Sequence, residues 1–248
     1  MRGLGCHPDP PDTRDRSVEL LGLATTPPSS ASVQRLMAPI GNQFNLRDCV
    51  GESIRQAFHV AEYATTGTKP VATSALGHYF NGRAQHGTEQ VDAGTWIRAG
   101  MTGLKYFGAL REPDWPFDTS RVNDRPPWRA YKAAFKTKGP HGYYRIDGFG
   151  DERLDAIRRC IASEKGAVAL GTKVTEAFTN DDGPDTEETP RPGEKIAGGH
   201  AMAVVAYEPG RFLLANSWGV GYRLNGCIWV TEDYVAWAGT HDIWALVL

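Results

Sequence analysis

The chain has 248 residues, which is enough for one large domain or for two small lobes that share a cleft. Its hydrophobic content of 41%, its charged content of 23% and its formal net charge of -2 exclude a disordered chain, a collagen-like repeat and a coiled coil. The lack of a basic excess argues against general nucleic-acid binding, and the apolar runs are too short to span a membrane. Since the first residues contain no stretch that fits a signal peptide, we expect a cytoplasmic protein whose four cysteines are free thiols in a reducing compartment.

The first half of the sequence predicts an extended arm followed by helices. Residues 1–32 are rich in Pro, Asp, Arg, Ser and Thr and lack periodicity, which predicts an arm ahead of one folded domain over 33–248. Apolar residues at helical spacing follow Asp48, a candidate N-cap, and stop before Gly67. Further segments are predicted as helices near 73–84, near 94–107 and over Asp151–Ser163, and as Pro-rich loops over 108–150.

The second half of the sequence is predicted to be mainly β-sheet. The candidate strands are Ala167–Gly171, Ala201–Tyr207, Phe212–Asn216, Cys227–Val230 and Ile243–Leu248. Segregation of helices and strands along a chain indicates the α+β class. We therefore expect a helical lobe over about 40–150 that packs on a β lobe over about 151–248.

Three residues that are far apart in the sequence could form one catalytic group. Cys49 lies at the predicted start of a helix, where the backbone N–H groups and the helix dipole stabilise a thiolate. A lone cysteine is more often a buried structural residue, so its position alone does not identify a nucleophile. His200 opens an apolar strand and Asn216 ends the next one, so a hairpin would bring the Asn oxygen to the His ring. Together the three residues supply a nucleophile, a base and an orienting group.

The segments around these residues resemble the three catalytic segments of papain-like cysteine peptidases. Asn42-Gln43-Phe44-Asn45-Leu46-Arg47-Asp48-Cys49 has the family's Gln six residues before the nucleophile. His200 with its apolar strand, and then Asn216-Ser217-Trp218-Gly219, keep the family's order and spacing. Residues 5–15 and 100–108 are similar to the bacterial and phage branch that lacks disulfides, so a phage-encoded protein is within this expectation.

The resemblance implies a papain-like two-lobed fold. The helical lobe would pack on an antiparallel β-sheet or barrel lobe, with the active site in the cleft between them. Cys49 would be the nucleophile, His200 the base and Asn216 the orienting residue. The side-chain amide of Gln43 and the backbone N–H of Cys49 would form the oxyanion hole.

The resemblance also assigns substrate contacts and a path for the arm. Trp218 would cover the His200–Asn216 hydrogen bond, and Gly94 would belong to the strip that pairs with an extended substrate. Leu46 and Val50 depart from the family pattern, and charged residues lie close to the nucleophile at Arg47, Asp48 and Glu52. The arm is shorter than the family's usual inhibitory prodomain, so we expect it to pack across the back of the lobes.

The function predicted from these residues is that of a cysteine-type endopeptidase. It would hydrolyse peptide bonds in peptides or proteins through a thioester acyl-enzyme, as a monomer, without a cofactor, a metal ion, a nucleic acid or a membrane. One alternative is an amidase or ligase that transfers the acyl group on peptides or peptidoglycan stems. A second alternative is an inactive binding protein of the same fold, which the joint presence of Gln43, Cys49, His200 and Asn216 argues against.

An acidic segment precedes His200. Residues 180–194 are rich in Asp, Glu and Pro, and are predicted to form an exposed, mobile loop at the rim of the cleft. A negative rim would favour basic substrates. A solvated loop without a role is an equally simple interpretation.

Overall fold

The computed structural model describes residues 2–23, 26–136, 139–163, 167–181 and 183–248, which form an α+β fold of the predicted class. The α-helices in these ranges are α1 (Cys49–Thr66), α2 (Ala75–Ala84), α3 (Ile97–Phe107), α4 (Trp128–Ala134), α5 (Gly150–Ala162) and α6 (Glu232–Ala236). The strands are β1 (Cys6–His7), β2 (Ala31–Ser32), β3 (Thr95–Trp96), β4 (Gly142–Ile146), β5 (Val168–Thr175), β6 (Thr186–Glu187), β7 (Ile196–Glu208), β8 (Arg211–Ala215), β9 (Cys227–Thr231) and β10 (Thr240–Val247).

Eight of the strands form one sheet in which nearly all neighbours are antiparallel. The order is β4-β10-β5-β7-β8-β9-β6, and β2 adds to β7. Only β6 joins its neighbour in parallel among the described pairings of this sheet. The central strands β5 and β7 pair from Val168 opposite Val204 to Thr175 opposite Ile196. β7 is thereby held by β5 at the position of His200, which lies opposite Thr172.

α1 is the central helix and packs against β7. Every residue from Cys49 to Ala61 is buried, so the helix is enclosed on all sides over this length. The Ser53 hydroxyl donates to the carbonyl oxygen of Met202 in β7, at 3.0 Å. Gly67 ends the helix with a φ of 67° that favours glycine, as the spacing predicted.

Apolar side chains fill the space on both faces of the sheet. The largest group includes Ile157 of α5, Phe178 and Val204. A second group joins α1 and α3 to β10, with Ile54, Met101 and Trp244 among its buried members. The second group lies between the helical lobe and the sheet, so it fixes how α1 sits on the strand that carries His200.

The segment 108–150 contains more regular structure than its prolines predicted. α4 lies within it, and β4 pairs along its whole length with β10, from Ile146 opposite Ile243 to Gly142 opposite Val247. Buried and half-buried residues alternate along β4, which is the period of a strand on a sheet surface. β4 thus joins the sheet although it falls within the range predicted for the helical lobe.

The arm is ordered along its described length. β1 pairs in parallel with β3, and β2 pairs with β7. Val18 and Val33 are buried in the main core. Within the described ranges, no helix is both long enough and apolar enough to cross a membrane.

Candidate active site

His200 and Asn216 meet at one end of the β7–β8 hairpin. The ring Nε2 lies 2.8 Å from Oδ1 of Asn216, and both side chains are buried. Oδ1 also accepts the backbone N–H of Ser217, so it is an acceptor and the ring Nε2 is the donor. The Nδ1 atom of a neutral ring then carries a free lone pair, and it has no hydrogen-bond partner among the described residues.

Cys49 begins α1 and faces the strand that carries the histidine. The backbone N–H groups of Gly5 and of Ala201, the residue after His200, favour the thiolate of Cys49 and oppose the effect of burial on its pKa. The residue is 0% exposed. The sulfur therefore lies at the junction of α1 and β7, covered by the arm.

Gln43 presents its side-chain amide in a fixed orientation. Its Oε1 accepts the hydroxyl of Ser217, so Nε2 must face the other way. Nε2 donates to the carbonyl oxygens of Leu46, at 2.6 Å, and of Gly3, at 3.0 Å. The backbone N–H of Gln43 also donates to the Ser217 carbonyl, at 2.9 Å. Ser217 thus orients Gln43, a role that the sequence motif did not predict.

Trp218 covers the imidazole of His200. The two rings are stacked, with 4.5 Å between centroids and 24° between planes. Phe178 and Tyr222 pack against the indole at centroid distances of 6.0 and 4.9 Å. This aromatic wall keeps water from one face of the histidine and its hydrogen bond.

The arm crosses the cleft directly over Cys49. The carbonyl oxygen of Gly3 lies on the Gln43 amide, and the carbonyl oxygen of Gly5 accepts the backbone N–H of Thr95, at 2.8 Å. The expectation that the arm packs across the back of the lobes is therefore wrong. An extended segment without periodicity carries no local signal for the surface on which it lies.

Glycine is required where the arm passes the nucleophile. A Cβ atom on Gly3 would lie 1.8 Å from the carbonyl oxygen of Leu46. A Cβ atom on Gly5 would lie 2.2 Å from the carbonyl oxygen of Arg47. Both contacts are with backbone atoms ahead of α1, so the fit of the arm depends on bare backbone at these two positions.

Gly94 lies just ahead of β3, with a φ of 81°. Its N–H donates to the hydroxyl of Tyr79, at 2.8 Å, and Tyr79 donates to Asp92, at 2.6 Å. The N–H that pairs with an extended chain in this structure is therefore that of Thr95. Gly94 leaves room for that chain, since a Cβ atom there would lie 2.4 Å from the carbonyl oxygen of Gly5.

Burial shifts the pKa values of Cys49 and His200 in opposite directions. It raises the pKa of Cys49 to about 12 and lowers the pKa of His200 to about 4. Both shifts favour the neutral form of a group removed from water. The expected stabilisation of a thiolate by the helix N-terminus is outweighed by burial while the arm covers the sulfur.

Comparison with solved structures identifies the fold. The chain superimposes on xylellain, a cysteine protease from Xylella fastidiosa, with a TM-score of 0.85 and 23% identity over 99% of this chain and 96% of that one. Digestive procathepsin L 3 of Tenebrio molitor gives a TM-score of 0.72 and 15% identity over 100% of this chain and 76% of that one. A Carica candamarcensis cysteine protease gives 0.65 and 19% identity over 89% and 98%. The chain has the papain-like cysteine peptidase fold.

A protein with a similar sequence is consistent with the papain-like fold. The chain is 30% identical over 203 residues to an uncharacterized peptidase C1-like protein of Acanthamoeba polyphaga mimivirus. The match covers 79% of this chain and 65% of the relative, so the chain spans about two thirds of that protein's length. No protein-family model matches the sequence. The predicted resemblance to papain-like cysteine peptidases is confirmed.

Two of the charged residues close to Cys49 in the sequence, Asp48 and Glu52, are buried, whereas Arg47 is exposed and lines the cavity beside Trp218. Glu52 forms a buried ion pair with Arg55, at 2.8 Å. Asp48 precedes α1, but it makes no side-chain cap, and neither of its buried carboxyl oxygens has a hydrogen-bond partner in the described chain. Burial, and next the nearby Glu52, raise the pKa of Asp48 well above its usual range. The charge of Asp48 in turn contributes to the raised pKa of Cys49, after burial.

Asp9 anchors the arm next to the cleft. Its carboxyl group accepts the indole N–H of Trp244, at 2.7 Å, and the backbone N–H of Arg98, at 3.2 Å. Its own N–H donates to the carboxylate of Asp242, at 2.7 Å. Burial, and next the charge of Asp242, raise the pKa of Asp9 to about 6.

Asp9→Asn should be more favourable to stability at neutral pH than in acid. The folded pKa of about 6 exceeds the unfolded value of about 3.9, so the ionised carboxylate costs stability above pH 6. That cost disappears as the pH falls from 6 to 4, because the folded state takes up the proton. An amide does not ionise, but its nitrogen cannot accept one of the two N–H groups that Asp9 accepts, which adds a cost at every pH. The free energy of unfolding of the variant relative to the wild type should therefore be about 1–3 kcal/mol higher at pH 7.5 than at pH 4.

Urea unfolding of both proteins at the two pH values measures the difference. Asp124→Asn is the control, since the Asp124 side chain is 63% exposed. An equal effect of Asp9→Asn on the free energy of unfolding at both pH values would contradict the account.

Proposed function

We propose that the chain is a cysteine peptidase that hydrolyses peptide bonds through a thioester acyl-enzyme. Cys49 is the nucleophile, His200 the acid and base, Asn216 the orienting residue and Gln43 an oxyanion donor. The observation that carries the proposal is the buried His200–Asn216 hydrogen bond, which leaves the lone pair of Nδ1 without a partner among the described residues. The papain-like fold and the peptidase-like viral relative support the same reaction class.

The reaction begins with transfer of the Cys49 proton to Nδ1 of His200. The sulfur attacks the carbonyl carbon, and the developing oxyanion accepts the side-chain N–H of Gln43 and the backbone N–H of Cys49. The imidazolium then gives its proton to the leaving amine, which leaves a thioester on Cys49. His200 next takes a proton from water, the resulting hydroxide attacks the thioester, and the acid product departs. Throughout, Asn216 accepts from Nε2 and keeps Nδ1 directed at the reacting atoms.

The arm supports this assignment because its backbone occupies the same donors. The carbonyl oxygen of Gly3 lies where the Gln43 amide would hold the oxyanion. A peptide carbonyl cannot reach that donor until the arm leaves. We infer that the described form is latent and that turnover requires displacement of residues 2–7.

Displacement of the arm also changes the electrostatics of the pair. Burial is the largest cause of both pKa shifts, so readmitting water lowers the pKa of Cys49 and raises that of His200. The proton can then move from the sulfur to the ring without a change in total charge. Opening of the cleft and activation of the nucleophile are therefore one event.

A cleavage profile tests the proposal directly. A denatured proteome is incubated with the wild-type protein and with Cys49→Ala, and new peptide ends are identified by mass spectrometry. New ends are expected with the wild type alone, together with stoichiometric labelling of Cys49 by a thiol-directed epoxide. Products that gain the mass of an added amine would indicate acyl transfer, and an unreactive Cys49 would indicate a binding protein.

Asn216→Ala is expected to lower kcat by about 10-fold with little change in KM, because the imidazole loses its fixed orientation. The measurement is steady-state hydrolysis of a peptide identified in the cleavage profile. The control is Asn180→Ala, which removes a side-chain amide from the loop before β7 and leaves that of Asn216 in place. An unchanged kcat for Asn216→Ala would remove the orienting role.

A further inference from the structure

Arg2 of the arm occupies a pocket beside the catalytic histidine. Its guanidinium carbon lies 4.5 Å from the centroid of the Trp218 ring and 4.9 Å from that of Tyr222. The same guanidinium donates to the carboxylate of Asp181. Two aromatic faces and one carboxylate form a site that fits a planar cation.

The groups around the guanidinium are held by the β lobe. Tyr222 is buried, and its hydroxyl donates to the carbonyl oxygen of Phe178, at 2.9 Å. The side chain of Arg223 is 0% exposed and donates to the carbonyl oxygens of Asn180, at 3.2 Å, and of Pro184. Asp181 lies between Asn180 and Pro184 in the sequence. The acidic loop is thereby tied to the sheet at the point where it meets Arg2.

The pocket lies on the side of the cleft where a leaving group would sit. His200 must face the leaving amine to protonate it, and Trp218 is stacked on His200. The C-terminal part of a substrate therefore lies against Trp218, and its acyl part lies along β3. The arm runs the opposite way, from Arg2 at Trp218 past Cys49 to β1 at β3.

A cavity continues from this pocket along the cleft. Its volume is about 1040 Å³, and its lining includes Arg2, Asn42, Ile196 and Trp218. A peptide residue beyond the scissile bond has room there once the arm is displaced. The arm thus shows that the pocket accepts an arginine side chain. Because the arm runs opposite to a substrate, its own peptide bonds are not oriented for cleavage.

We propose that Asp181, Trp218 and Tyr222 form an arginine-selective subsite for the first or second residue on the leaving-group side of the scissile bond. The proposal rests on the peptidase function proposed above and adds its substrate class: peptides with arginine at the first or second position after the cleaved bond. In the latent form, Arg2 of the arm fills this subsite.

The test uses the full chain and pairs of quenched-fluorescence peptides. The two members of a pair differ only in arginine or citrulline at the first or second position after the scissile bond. Citrulline keeps the planar shape and loses the charge, so kcat/KM should favour arginine by about 10-fold. Asp181→Asn should reduce that preference about 2–5-fold, whereas Asp185→Asn, in the same loop, should leave it unchanged. The readout is the ratio of kcat/KM for the arginine peptide to that for the citrulline peptide. Loss of the Arg2–Asp181 pair releases the arm and raises the rates of both peptides, so the individual rates do not report on the subsite.

Equal kcat/KM for both members in the wild type, or an unchanged ratio in Asp181→Asn, would overturn the subsite. Binding of the same peptides to Cys49→Ala, measured by fluorescence anisotropy, separates the subsite from turnover. An arginine preference in binding without any hydrolysis by the wild type would refute the proposed peptidase and retain the subsite. Equal binding of the two members would refute the subsite, whatever the rate of hydrolysis.

Discussion

Replacing Gln43 with alanine is expected to lower kcat by about 10²–10³-fold. The amide donates to the carbonyl oxygen of Gly3 in the latent form, which is the position that the substrate oxyanion would take. The donor is preorganised because Ser217 holds Oε1 and Leu46 accepts from Nε2. Alanine removes an interaction that is strongest in the transition state, so kcat should fall far more than KM rises.

A second measurement separates loss of the donor from damage to the fold. Gln43→Ala also removes an anchor of the arm, so alkylation of Cys49 by iodoacetamide should become faster while hydrolysis becomes slower. Ser217→Ala is the matched variant, because it keeps the donor and frees its orientation, and it should show a smaller loss of kcat. A fall in both alkylation and hydrolysis, or an unchanged kcat, would contradict the oxyanion role.

The residues proposed to be catalytic could be predicted because their signals are local. Cys49 at a helix start, His200 in an apolar strand and Asn216 after the next strand each depend on a few neighbouring residues. The hairpin pairing of β7 and β8 then brings His200 and Asn216 close together, although they are separated in the sequence. The fold class followed from the same local patterns, since helices and strands are segregated along the chain.

The path of the arm could not be predicted in this way. Its contacts with the cleft are made by backbone atoms of Gly3 and Gly5. The partner of Gly3, Gln43, lies 40 residues away in the sequence, and the partner of Gly5, Thr95, lies further still. Such contacts leave no periodicity in the sequence. The sequence signal for the path of the arm was the presence of two glycines, Gly3 and Gly5, near the first residue. Glycines of this kind also occur in ordinary turns.

The glycines before His200 show the same limit. Gly198 and Gly199 follow the acidic loop, and glycines at such a connection commonly give the backbone freedom to move. In the structure both belong to β7, and a Cβ atom on Gly199 would lie 2.1 Å from the carbonyl oxygen of Cys6. Their small size makes room for the arm, which became evident only when the arm was placed.

Gly5→Ala is expected to displace the arm and to increase the rate of Cys49 alkylation by about 10–100-fold. The new Cβ atom would lie 2.2 Å from the carbonyl oxygen and 2.5 Å from the Cβ of Arg47. The Arg47 backbone is held by Asp92, which accepts its N–H at 3.2 Å, so it cannot move aside freely. The Gly5 carbonyl oxygen also accepts the backbone N–H of Thr95, at 2.8 Å, and this hydrogen bond opposes a sideways shift of the arm. Overpacking of this kind costs about 1–3 kcal/mol, which corresponds to the stated change in the population of the open form.

The other buried cysteines provide an internal control for Gly5→Ala. Cys160 and Cys227 are buried outside the segment 2–7, and burial raises the pKa of Cys160 to about 12 and that of Cys227 to about 11. Displacement of residues 2–7 should accelerate the labelling of Cys49, and of Cys6 within that segment, whereas global unfolding would also accelerate the labelling of Cys160 and Cys227. Gly221→Ala is the matched variant, since no heavy atom lies within 4 Å of its Cβ position. If the labelling of Cys49 in folded Gly5→Ala matched that in Gly221→Ala, the arm would not be the barrier over the nucleophile.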